Sequence, residues 1–186
     1  MSLSDLAALG SFVSGVAVLV SLIFLILQMR QANRNQRSLM QQGISTRMLQ
    51  IMTTGASPEI AKALTRAGRG GEGLEAWEVT AAMSIGGSLL ANYEDSFLQH
   101  RAGTLDEVSW TTEVAAITGN LRWPTNRAAW RLLRDTFGSD FQVFVDGVME
   151  STKGEILPRD FDMVDAWKAA LTEERLASGA GAVSKP

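Results

Sequence analysis

The sequence predicts an all-α fold: a single N-terminal transmembrane helix continuing into a cytoplasmic bundle of about five helices. Three observations predict it. Residues 7–27 (AALGSFVSGVAVLVSLIFLIL) carry no charge, proline or amide. From Gln28 onward, apolar residues recur at spacings of three and four, in blocks set apart by glycine, proline and capping residues. No block alternates apolar and polar residues with β-branched enrichment, so no sheet is expected.

Length and composition bound the rest. Of 186 residues, an anchor of about thirty leaves roughly 150, enough for one domain with its own core. A content of 46% apolar and 20% charged residues is that of a globular chain and weighs against disorder. There is no cysteine, hence no disulfide, thiolate metal site, thiol nucleophile or palmitoyl anchor. Residues 30–58 carry Arg30, Arg34, Arg37 and Arg47 and no acid, whereas residues 59–186 hold nineteen acids against thirteen bases. An acidic body argues against nucleic acid held through its phosphates.

As a helix, residues 7–27 reach about 31 Å, close to the roughly 30 Å hydrocarbon thickness of a bilayer. The preceding residues lack the cation of a secretory signal, the run exceeds the about 7–15 residues of a signal core, and Gln28-Met29-Arg30 is no small-x-small cleavage site, so a retained anchor is expected. Arg30, Arg34 and Arg37 follow the span with no cation before it. The positive-inside rule therefore puts the N-terminus outside and the C-terminal body in the cytoplasm, with these arginines resting on lipid headgroups. Gly10, Ser14, Ala17 and Ser21 follow a 4-3-4 spacing and stack on one face. Small residues let membrane helices approach, so this face is a candidate contact for a membrane-protein partner or a second copy.

Residues 28–50 meet no glycine before Gly43 and no proline, and the membrane helix is expected to run on through them. Met40, Ile44, Met48, Ile51 and Met52 form an apolar stripe, read as opposite Arg34, Arg37, Gln41 and Arg47. The stripe either packs on the following helices or serves a partner, as a parallel helix dimer or a pliable methionine groove. Residues 1–29 are thus the anchor, 30–56 a juxtamembrane helix, 57–178 the bundle and 179–186 a flexible tail.

Within the bundle, Ser57-Pro58-Glu59 starts a short helix to about Ala67. Residues 68–73 (GRGGEG) match half of a phosphate loop but continue Leu74-Glu75 where Lys and Ser or Thr are required, and read as a connector. Residues 75–101 predict the longest soluble helix, with Gly86-Gly87 marking a kink or a close crossing and Gly103 its C-terminal cap. Thr104 and Glu107 have capping-box spacing for a helix to about Ile117, with Trp110 and Val114 on its apolar face. Trp123-Pro124 leads into a helix that Thr125 or Asn126 can cap, burying Ala129, Trp130, Leu133 and Phe137. Gly138-Ser139-Asp140 precedes Phe141, Phe144, Val145 and Val148, and a last amphipathic helix carries Phe161, Val164, Trp167 and Leu171 to about Ala177.

No side chains assemble into a catalytic, cofactor-binding or metal site by spacing. His100 is the single histidine; Glu94 and Asp95 stand six and five residues before it, which is no metal-site register, and it reads as a surface residue at a helix C-terminus. Tyr93 and Glu94 either face a pocket or form a structural hydrogen bond. Arg122, Arg127, Arg131 and Arg134, interleaved with Trp123 and Trp130, resemble a phosphate surface but read as a solvated face beside Asp135 and Asp140.

Residues 22–34 (LIFLILQMRQANR), Asn92-Tyr93-Glu94, residues 101–106 with Trp110, then Trp123, Trp130 and residues 137–141 (FGSDF) resemble a family of uncharacterised bacterial proteins with one N-terminal membrane helix and a small helical cytoplasmic body. The resemblance covers nearly the whole chain, which departs in its 68–73 loop and Gly86-Gly87, and it implies an inner-membrane location with no established activity. The reading that follows is a non-enzymatic, membrane-anchored interaction module without a cofactor, an accessory or assembly subunit of a larger inner-membrane complex. The alternative is a small-ligand sensor or enzyme with a pocket between helices near Tyr93, Glu94 and His100.

Overall fold

A computed structural model describes the backbone of residues 3–158 and 160–182, with the side chains of residues 5–9, 33–34, 36–38, 41 and 179–182 outside the description. Seven α-helices appear in it: α1 Leu3–Gly55, α2 Pro58–Gly68, α3 Ala76–Arg101, α4 Glu107–Asn120, α5 Pro124–Leu133, α6 Ser139–Ser151 and α7 Met163–Ala182. Two 3-10 turns, Arg134–Thr136 and Lys153–Glu155, follow α5 and α6. No strand occurs among the described residues. The segment 57–178 expected as the bundle holds α2 to α6 and most of α7, and the apolar side chains Val164, Trp167 and Leu171 of α7 are exposed. The anchor and juxtamembrane segments are one helix of 53 residues.

The helix α3 is the axis of the body, in contact with α1, α2, α4 and α5. Its Leu90 and Tyr93 enter a core with Ile117 and Leu121 from the α4 end, Ala129 and Trp130 of α5, and Phe141 and Val145 of α6. Each large apolar side chain buried this way contributes about 1.5–3 kcal/mol. Phe97 joins the cluster from α3, its ring 5.3 Å from Phe144 and 5.5 Å from Phe141. Gly86 and Gly87 mark a close crossing: a Cβ on Gly86 would lie 2.8 Å from Ala129 Cβ, and one on Gly87 2.9 Å from Leu133 Cδ1. Two successive glycines let the α3 and α5 backbones approach where any side chain would hold them apart, and α3 runs through the pair without a break.

Helix ends depart from the expected caps. The carboxylate of Asp106, not Thr104, caps α4 by accepting from Ser109 N at 2.9 Å. Thr104 instead donates its hydroxyl to Gln99 O and closes the end of α3, with Gly103 at φ +70° and Thr104 N on Gln99 O at 2.9 Å. Gly103 needs that left-handed conformation, and its φ pulls Thr104 back onto the preceding helix. Trp123 takes the cap position of α5 with Pro124 as first residue, so Thr125 and Asn126 lie inside the helix. Ser57 precedes α2 but donates to Thr54 O instead of capping. The last helix begins after Phe161 and runs to Ala182, past the expected end and into the expected tail, of which residues 183–186 lie outside the described residues.

Three charged side chains are built into the body. Glu78, 1% exposed, accepts from Arg66 at 2.5 Å and from Glu75 N at 2.9 Å, joining α2 to the start of α3. Arg127, expected on a solvated face, is buried and donates to Leu121 O, Thr152 Oγ1 and Met149 O, fastening α5 to the end of α6. Asp146 accepts from Trp130 Nε1 at 2.9 Å and from Arg134 at 2.7 Å; the Arg134 guanidinium holds its carboxyl below the usual range. The four arginines therefore form no common phosphate surface.

Candidate functional site

Along α1, residues Gly10–Ala32 are long and apolar enough to cross a membrane, and none of this span is buried in the body. Phe12, Leu19, Ile23 and Leu27 are all exposed. The predicted contact face stands clear as well: Gly10, Ser14, Ala17 and Ser21 are exposed, nothing lies within 4 Å of a Cβ built at Gly10, and Ser21 Oγ turns back onto Ala17 O at 2.8 Å. Of the headgroup arginines, Arg30 is exposed, while the side chains of Arg34 and Arg37 lie outside the described residues.

Beyond the span, the middle of the juxtamembrane stripe is covered by the protein's own body. Ile44 is 7% exposed and Met48 packs against the core cluster; Met40 is half-buried and Met52 is exposed. Ile44 and Met48 therefore offer no free face to a partner helix. Arg47 is not opposite the stripe but beside it. At 3.6 residues per turn it lies about 60° from Ile44, whereas Met52 lies about 80° off on the other side. Its Nε donates to Asn92 Oδ1 at 3.2 Å and its guanidinium pairs with Asp95, both on α3. One cation and two apolar side chains thus seat the body on α1. The seat borders a polar cleft lined by Gln50, Thr54, Ser84 and Ser88, and the amide nitrogen of Asn92 is buried beside it without a hydrogen-bond partner. Sequence reasoning missed Arg47 as a docking residue; its angular position on the helix was the available signal.

Tyr93, Glu94 and His100 do not converge on a pocket. Tyr93 is 2% exposed, and its hydroxyl accepts from Asn120 Nδ2 at 2.6 Å; burial first, and then the Glu113 carboxylate, push its pKa up to about 12. Glu94 accepts from Gly138 N at 2.7 Å and so ties α3 to the start of α6. Half-buried His100 is stacked flat on Trp110, ring centroids 4.7 Å apart and 7° from parallel, and its closest acid is Glu107 of α4 at 3.9 Å. Successive helical positions diverge by about 100°, so Tyr93 enters the core while Glu94 leaves it. Each of the three has a packing or hydrogen-bonding role in the body.

Among the described residues, no group of three or more His, Asp or Glu side chains is placed to hold a metal ion. No family model matches the chain, no curated protein matches it, and no solved structure matches it.

Proposed function

We propose that the protein is a membrane-anchored, non-enzymatic interaction module, an accessory or assembly subunit of a larger inner-membrane complex, with its body on the cytoplasmic side. The observation that carries this reading is the division of α1. Its first half is an apolar span of which nothing is buried among the described residues, and its second half is clamped to the body through Ile44, Arg47 and Met48. A continuous helix transmits position and orientation, so a contact made in the bilayer fixes where the body stands at the surface. The small-residue face from Gly10 to Ser21 supplies that contact, and Arg30, Arg34 and Arg37 set the orientation by the positive-inside rule.

The experiment is mild-detergent extraction from native membrane followed by mass measurement of the intact particle. The expected result is a particle heavier than one chain, from a second copy or a membrane-protein partner. Gly10→Leu with Ser14→Leu leaves insertion intact and reduces that particle to the single chain. A strictly monomeric wild-type protein with no co-purifying partner, or association unchanged by the double substitution, rejects the proposed contact.

A further inference from the structure

Along α1 an alternating four-three spacing begins at Ser14 and Val18 and runs unbroken to Thr46 and Leu49, through the apolar span and on beside the body. No position on this track is charged, and neither are the positions that flank it on each side. By register, Arg30, Arg34, Arg37 and Arg47 all fall on the opposite side of the repeat. So does the seat of the body: at about 100° per residue, Ile44, Arg47 and Met48 stand roughly 120–180° from the track. The body therefore leaves the track open. In the half of α1 beyond the span, Asn35, Gln42 and Thr46 are exposed, Leu39 is 67% exposed and Leu49 64%. About 25 Å of helix separates Leu49 from Ala32, so lipid does not reach it.

A seven-residue repeat with an uncharged seam is the pattern of a parallel helix pair, whose seam side chains pack as knobs into holes. Charges beside the seam set partner choice in such pairs, and here none stands there. Specificity falls to the seam itself. Gln28, Asn35 and Gln42 place an amide on it at successive repeats. Each amide both donates and accepts, so a second copy in the same orientation meets every one of them at its own height. Two copies also keep their arginines apart, on the outer sides that carry the bodies. We infer that the occupant of this face is a second copy of the chain, parallel to the first and paired from Ser14 to Leu49, with the two bodies outward. At 3.6 residues per turn the track drifts by about 20° per repeat, so the pair winds left-handed. This inference rests on the membrane-anchored module proposed above and names its partner.

The chain has no cysteine, so single introduced thiols report proximity in native membranes under mild oxidation. Leu39→Cys, Gln42→Cys and Leu49→Cys are each expected to give a disulfide-linked dimer, because a parallel seam brings paired Cα atoms within the roughly 4–7 Å that a disulfide spans. Arg30→Cys and Thr54→Cys, exposed and on the outer side of the repeat, stay single. Asn35→Lys, which sets two cations face to face, reduces the Leu39→Cys dimer several-fold. Equal yield at outer and seam positions, no yield at any seam position, or a Leu39→Cys yield unchanged by Asn35→Lys overturns the pairing. Carbonate extraction of the same membranes and the mass of the intact wild-type particle separate this failure from failure of the wider reading. A chain retained in the membrane, within a particle heavier than itself but without seam disulfides, overturns the second copy and leaves the module standing. A single-chain particle overturns both.

Discussion

Tyr93 is the one tyrosine in the chain, so its titration can be read without interference. Its hydroxyl sits in the core on Asn120, and burial with the nearby Glu113 carboxylate raises its pKa to about 12. Because the folded value lies above the unfolded one, near 10, its contribution to stability is whole below about pH 10 and is lost as pH rises through about 12. Tyrosinate absorbance is expected to show a midpoint near 12 in the native protein and near 10 in denaturant; a native midpoint at the ordinary value means that the hydroxyl is solvated. Tyr93→Phe costs about 1 kcal/mol by denaturant unfolding, at the low end for a buried pair because Asn120 Nδ2 keeps its bond to Ala116 O. At this scale the sequence was informative about residue type and silent about partner. Tyr93 and Glu94 were legible as a pair worth weighing, yet their neighbours in sequence say nothing of Asn120 or Gly138, which are brought to them by α4 and by the start of α6.

Among the elements, α3 and α5 show how backbone approach depends on single atoms. Gly86→Ala puts a methyl group 2.8 Å from Ala129 Cβ and is expected to destabilise the body by about 1–3 kcal/mol through overpacking, despite the higher helix propensity of alanine. Gly147, inside α6 and with nothing within 4 Å of its Cβ position, gives the opposite result: Gly147→Ala stabilises by roughly 0.5–1 kcal/mol. Thermal melts of the two variants side by side test the crossing, since equal stabilisation by both excludes it. The glycine pair was readable in the sequence as a kink or a crossing, and the structure decides for the crossing because Ala129 and Leu133 face it. The cap of α4 was misplaced for a related reason. Thr104 and Asp106 are both good caps, and Gly103 diverts Thr104 to the end of α3, leaving Asp106 to start α4.

For the molecule as a whole, α7 stands apart: Met163, Val164, Trp167, Leu171 and Leu176 are all exposed. Truncation after Asp162 is therefore expected to shift the unfolding free energy of the body by less than about 0.5 kcal/mol. A large loss of stability on truncation, measured by chemical unfolding, means that α7 packs as part of the bundle. The sequence by itself determined the helical class, the order of the helices, the apolar span and its single unbroken continuation toward the body. These follow from local quantities: hydrophobic period, propensity and the placement of glycine and proline. The tertiary structure alone decided which apolar faces are covered. It decided that Ile44 and Met48 are taken by the body while Met52 stays out, that Glu78 and Arg127 are interior, and that Val164 and Trp167 of α7 stay exposed. The physical reason is that periodicity fixes a face on each helix but not its partner. Partners such as Arg47 and Asn92, 45 residues apart, meet through packing of the whole chain.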